Sequence, residues 1–191
     1  MPGADDPATY GRTVPASEIT IRAERPADRA AIRRVVAAAF GSDLEADLVD
    51  RIRASPEYVA EMALVAVDAD DRIVGHVMIS GASLRRDDTA RSIVMLSPLA
   101  VDPDHHRQGI GGTLVRAAVA VADERGEPFV VLEGSPAYYA RFGFGPAAAH
   151  GITMPLPDWA PPEAAQIVTL RNDDPTITGA VTYPPAFDGI E

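Results

Sequence analysis

The residues of this chain best suited to chemistry lie in one short run. His105-His106-Arg107-Gln108-Gly109-Ile110-Gly111-Gly112-Thr113 follows an apolar, β-rich stretch and opens a run with helical spacing. A glycine-rich turn at a helix start binds anions for two reasons. The first helical amides lack carbonyl partners, and the aligned peptide dipoles add partial positive charge. Gly109, Gly111 and Gly112 carry no Cβ, so phosphate oxygens can approach the backbone. Arg107 adds a fixed positive charge. The chain has no lysine, so all 17 basic residues are arginine. That excludes a Walker P-loop and a Schiff-base lysine. The dinucleotide fingerprint G-x-G-x-x-G would need a glycine at position 114, which is Leu114, so a Rossmann site is excluded too. With no cysteine there are no disulfides, thiolate nucleophiles or thiolate metal ligands, and no metal is expected.

Other polar residues have less pointed readings. Glu133, at the end of an apolar strand, is a candidate base or cation anchor, or a solvent-facing strand end. His76 on a strand is a candidate base or a structural histidine. A water chain is the third candidate for proton removal. Arg33-Arg34 and Arg51 with Arg53 read as exposed helix faces. Trp159, among Pro155, Pro157, Pro161 and Pro162, reads as packing a loop or lining a binding pocket.

Alternating strands and helices must position these residues. Ile19 to Ala23 alternates and reads as a strand. Ile32, Val35, Val36, Ala39 and Phe40 follow at helical spacing, stopped by Gly41. Leu44, Leu48, Val49 and Ile52 form a second apolar stripe, capped by Ser42 or Asp43. Ala63–Val67 and Ile73–Ser80 read as a hairpin, and Arg85 to Asp88 as a later hairpin loop. Ser92 to Val101 reads as a strand interrupted at Ser97-Pro98, because proline cannot donate a ladder hydrogen bond. A bulge or splayed edge is expected there. After the glycine turn a helix buries Leu114, Val115, Ala118, Val119 and Ala122. Phe129 to Glu133 is a fully apolar strand up to its last residue. A short helix spans Pro136 to Phe142, and strands at Ala165–Leu170 and Gly179–Tyr183 complete the chain. The fold class is α/β (α+β) with a mixed sheet.

The stretch Leu99-Ala100-Val101-Asp102-Pro103 through His106-Arg107-Gln108-Gly109-Ile110-Gly111-Gly112-Thr113-Leu114 resembles motif A of the GNAT superfamily of N-acetyltransferases. Tyr138-Tyr139-Ala140-Arg141-Phe142-Gly143-Phe144 resembles the same family's tyrosine segment on the short helix after the fifth strand. Ser135-Pro136-Ala137, Ser97-Pro98-Leu99 and the ending Tyr183-Pro184-Pro185-Ala186-Phe187 are similar to its YhbS-like subgroup. The match runs from about Ile19 to Phe187. It implies a GNAT-type, mostly antiparallel sheet with helices on both faces and a splayed fourth/fifth strand pair.

The resemblance also implies acetyl-CoA as co-substrate. Its binding residues would be Leu99, Ala100, Val101, His106, Arg107, Gln108, Gly109, Ile110, Gly111, Gly112, Thr113 and Ser135. Backbone groups of Leu99 and Val101 would pair with the pantetheine arm, and the amide at the end of that stretch would polarise the thioester carbonyl. Tyr139 aligns with the family tyrosine near the coenzyme sulfur and would act as general acid. At the first motif position, usually Gln or Arg, stands His106, whose imidazole can donate one hydrogen bond to a phosphate. The strand before the turn carries no acidic residue, so the general base stays open between Glu133, His76 and water.

The whole chain sets the remaining bounds. Its 191 residues, 47% hydrophobic, suit one domain, here 17–191 after a disordered segment 1–16. The formal charge of −11 disfavours nucleic acid. No signal peptide or membrane-length apolar run is visible, so a cytoplasmic protein without membrane association, monomeric or homodimeric, is expected. Two functions remain: an N-acetyltransferase acting on a small-molecule or peptide amine, and a catalytically silent acyl-CoA-binding sensor or interaction module.

Overall fold

The computed structural model describes residues 19–190. The disorder expected over residues 1–16 lies outside the described residues. In chain order the elements are β1 (Thr20–Ala23), α1 (Arg29–Phe40), α2 (Leu44–Arg53), β2 (Ala63–Val67), β3 (Ile73–Arg86), β4 (Thr89–Val101) and α3 (Ile110–Glu124). Then come β5 (Phe129–Glu133), α4 (Pro136–Tyr139), β6 (Gly145–Pro146), β7 (Ile152–Thr153), β8 (Ala165–Thr169) and β9 (Gly179–Thr182).

One sheet runs in the order β1-β2-β3-β4-β5-β8-β6, with β9 beside the far end of β3 and β7 beside β9. Its strand pairs are antiparallel except β4–β5 and β7–β9. Helical spacing decides which side each helix covers. Ile32, Val35 and Val36 of α1 and Leu48, Val49 and Ile52 of α2 are buried against one face. Ile110, Leu114, Val115, Ala118 and Ala122 of α3 are buried against the other. Between them β5 is apolar on both sides: Phe129 and Val131 join the α1–α2 core, Val130 and Leu132 the α3 core.

Proline chemistry opens the sheet where the site forms. Ile79 pairs with Leu96 and Val77 with Leu99, which leaves Ser97 and Pro98 together opposite Met78. This is the expected bulge. On its other edge β4 pairs with β5 only at Val94–Val130 and Met95–Val131. Among the described residues, β4 from Leu96 to Val101 has β3 on one side and no strand on the other, so β4 and β5 splay as expected.

The hairpin differs from its sequence reading. Arg85 and Arg86 belong to β3, β4 starts at Thr89, and the turn is Asp87-Asp88, with Asp87 at φ 52°. Strand β9 pairs with Ser83–Arg85 and extends the ladder beyond what local alternation reveals. The two-residue strands β6 and β7 are too short to carry a periodic signal.

Candidate active site

The glycine turn forms as its residue types require. Gly109, at φ +83°, starts α3 in a backbone conformation that costs glycine little. Arg107 just before it also has positive φ, at 60°. A Cβ on Gly111 would stand 2.5 Å from the Tyr138 hydroxyl, so a side chain there would displace that hydroxyl.

The turn opens into a cavity of about 700 Å³, within the usual range for cofactor clefts. Eight expected residues line it: Leu99, Val101, His106, Arg107, Gly109, Ile110, Gly111 and Gly112. Four do not. Ala100 faces the α1–α2 core. Gln108 turns its amide nitrogen to the Asp104 carbonyl at 3.5 Å, and Thr113 donates to the Gly109 carbonyl at 3.2 Å. Ser135 is exposed at the N-cap of α4. The His106 ring does not point away from the protein: its Nε2 lies 2.9 Å from the Val101 carbonyl, which accepts its hydrogen bond.

Sequence reasoning missed several lining residues. Ala39 and Phe40 reach the cavity from the end of α1, and His105 from the turn. Arg116 lies one helical turn past Gly112, with its guanidinium 5.1 Å from the Phe142 ring centre. Arg141 stacks 4.2 Å from the Tyr138 ring centre and 5.0 Å from that of Phe142. The available signal was the i, i+4 spacing from Gly112 to Arg116.

Tyr138 rather than Tyr139 lines this cavity. Tyr139 lies behind it, edge-on to Tyr138 at 4.9 Å and to Phe144 at 5.6 Å, with its ring close against Gly134. Burial, helped by neighbouring Tyr138, pushes the Tyr139 pKa up to about 12. Its partners belong to the α3-side core.

Glu133 stands on the opposite face. Strand alternation puts it after Phe129 and Val131 on the α1–α2 side. It is half-buried, and burial raises its pKa, with no hydrogen bond or cation among the described residues to offset the effect. Tyr183 packs against this same core, its hydroxyl buried without a partner among the described residues. Burial and the Glu133 charge push that phenol's pKa up.

His76 and Arg53 have structural roles. His76 is completely enclosed, with Nε2 3.1 Å from Glu24 Oε2. Arg53 is not on an exposed face: only 4% of its side chain is accessible, and it binds both oxygens of Glu24 at 2.7 and 2.8 Å. Tyr58 donates to the same carboxylate at 2.9 Å. Burial would raise the Glu24 pKa, but hydrogen bonds from Arg53 and His76 hold it well below the usual carboxylate range. Burial pushes His76 down, against the pull of Glu24. Its enclosure keeps His76 from any substrate. Trp159, 77% exposed, does not pack its loop.

Among the described residues no cluster of three or more His, Asp or Glu side chains could hold a metal. No helix among them is long and apolar enough to cross a membrane. The residues present fit an extended anionic ligand, with free helical amides, a Cβ-free approach and guanidinium groups around one cleft.

A splayed β4–β5 pair beside a glycine turn at a helix start is what the resemblance to GNAT acetyltransferases implies, and comparison agrees. Residues 20–147 match the model of the acetyltransferase (GNAT) domain. The chain is 34% identical over 170 residues to the uncharacterised N-acetyltransferase YhbS of Escherichia coli K12, covering 88% of this chain and 98% of that one. The crystal structure of Escherichia coli YhbS in complex with CoA superposes with a TM-score of 0.82 at 33% identity, over 95% of this chain and 98% of that one. A GNAT family acetyltransferase from Brucella melitensis, in complex with acetyl-CoA, gives 0.71 at 31% identity, over 89% and 98%. The chain belongs to the GNAT family of N-acetyltransferases.

Proposed function

We propose that this chain transfers the acetyl group of acetyl-CoA to a primary amine of a small-molecule or peptide acceptor by direct attack on the thioester. The cavity carries this reading: it begins at an anion-binding turn and runs along Leu99 and Val101 on the unpaired edge of β4. The diphosphate would bind at the amides of Gly109 to Gly112 with Arg107, and the pantetheine arm along β4. The Val101 carbonyl already accepts from His106, so the arm relies on the other backbone groups of this edge.

The amine nitrogen bonds to the acetyl carbon and the carbon–sulfur bond breaks. An ammonium gives up two protons, one before attack and one as the amide forms; sulfur takes up one and the other passes to water. Glu133 anchors the incoming ammonium and takes its proton; its raised pKa makes it a better base than an exposed carboxylate. Tyr139, on the other face, donates a hydrogen bond to the departing sulfur. With its pKa near 12, full transfer to a thiolate of reference pKa about 8.5 is uphill. Its contribution is therefore a hydrogen bond more than a released proton.

One observation favours the second reading, a silent acyl-CoA-binding module: Tyr139 does not line the cavity. Thiol release from acetyl-CoA over a panel of amines, run beside coenzyme calorimetry, separates the two. Turnover on any amine supports the transferase, and binding without turnover supports the module. We further propose that residues 17–191 work as one domain in the cytoplasm, monomeric or homodimeric, without nucleic acid or membrane.

A further inference from the structure

We infer that Arg116 and Arg141 make this cavity selective for a coenzyme that bears a third phosphate, the 3′-phosphomonoester of CoA, over the same molecule without it. The inference rests on the coenzyme reading above and adds which part of the ligand these residues recognise.

The charge around the cavity is the starting point. In a chain of net charge −11, several arginines are neutralised by carboxylates: Arg22 by Asp28, Arg33 by Asp47, Arg53 by Glu24, Arg72 by Asp68 and Arg171 by Asp123. Arg107, Arg116 and Arg141 line one cleft, and among the described residues none of them pairs with a carboxylate. Clustered like charges repel, and they persist together where an anion offsets them.

Arg116 and Arg141 are also held in place. Both guanidinium groups lie over the Phe142 ring, and Arg141 lies over Tyr138 as well. The Arg141 Nε donates to the Tyr138 carbonyl at 3.0 Å. Stacking fixes the plane of a guanidinium while its edge stays free for bidentate contact with a phosphate. Arg116 Nη1 would stand 3.5 Å from a Cβ on Gly112, so its charge reaches back to the glycine turn.

A diphosphate bridge carries one charge on each phosphorus centre, and the helix amides with Arg107 already serve it. Two further oriented guanidinium groups exceed that need. A phosphomonoester adds about −1.5 to −2 charge at pH 7 and three acceptor oxygens, which matches them.

The test is calorimetry with CoA and with dephospho-CoA, on the wild type and on Arg107→Gln, Arg116→Gln and Arg141→Gln. Both new positions are exposed, so folding should survive, and thermal melting checks it. The wild type should bind CoA far more tightly than dephospho-CoA. Arg116→Gln and Arg141→Gln should each cost CoA affinity on the order of tenfold or more, as for a charge-assisted hydrogen bond, with little change for dephospho-CoA. Arg107→Gln should weaken both ligands. Equal wild-type affinity for the two coenzymes overturns the inference. So does an equal loss for both in the Arg116 and Arg141 variants, which would assign those residues to the diphosphate. Failure of the wild type to bind either coenzyme refutes the coenzyme reading itself.

Discussion

In the proposed reaction, Tyr139, Tyr138 and Glu133 would divide the chemistry between the two sides of the sheet beyond β5. Tyr139→Phe removes one oxygen and keeps the ring against Gly134, so the fold should persist. Because the phenol stays protonated and gives only a hydrogen bond, turnover should fall by about 10²-fold, the low end for general acid catalysis. Tyr138→Phe should act on the Michaelis constant for acetyl-CoA, because that hydroxyl stands at Gly111 in the cavity. Steady-state kinetics of the pair decides: a larger turnover loss in Tyr138→Phe would refute the assignment. Glu133 has a pH signature. A base must be ionised, so activity should fall as pH drops through its raised pKa. Glu133→Gln should lower turnover by about 10² to 10⁴-fold and abolish that acidic limb. A limb that survives in the variant belongs to another group. At Gly111, valine would collide with Tyr138 and fill the space an oxygen needs. Gly111→Val should abolish coenzyme binding measured by calorimetry, while circular dichroism stays native.

At the scale of elements, a buried ion cluster ties together the end of β1, the end of α2 and the middle of β3. Glu24 binds Arg53 and His76, and Tyr58 closes the fourth contact. Removing one member of a buried pair leaves the other charge uncompensated. Glu24→Gln should cost about 3 kcal/mol, near the low end for such a break, because Arg53 keeps Asp50 at 2.8 Å. Urea unfolding measures it. The pH dependence follows from two depressed pKa values. Folded His76 resists protonation that the unfolded chain accepts below about pH 6.5, and folded Glu24 does the same below about pH 4.3. Stability should therefore decline as pH falls through both ranges. Glu24→Gln should flatten the lower range, and an unchanged slope there would show that Glu24 does not control it. This cluster also marks what sequence left hidden. Arg53 reads as a helix-surface arginine until Glu24, 29 positions earlier, is brought under α2 by β1–β2 pairing. The bulge at Ser97-Pro98, by contrast, was legible, because a missing amide is a property of proline itself. The glycine turn was legible for a similar reason. Arg116 and Arg141 were not, since their meaning comes from stacking on Phe142.

Taken as a whole, the molecule would have to resolve a conflict between its charge and the proposed ligand. A protein of net charge −11 repels an anionic coenzyme at long range, so binding depends on local guanidinium groups and helical amides around one cleft. The acidic exterior, with the Glu133 carboxylate that takes no partner among the described residues on the proposed acceptor side, would suit a cationic amine. The measurement that tests this account most directly is product analysis by mass spectrometry after incubation with acetyl-CoA and a panel of primary amines, with free thiol counted in the same samples. The account predicts an N-acetylated amine formed in equal amount to the thiol released, and loss of both in Gly111→Val. Tight coenzyme binding with no acetylated product from any amine, or thiol release matched only by free acetate, would contradict it.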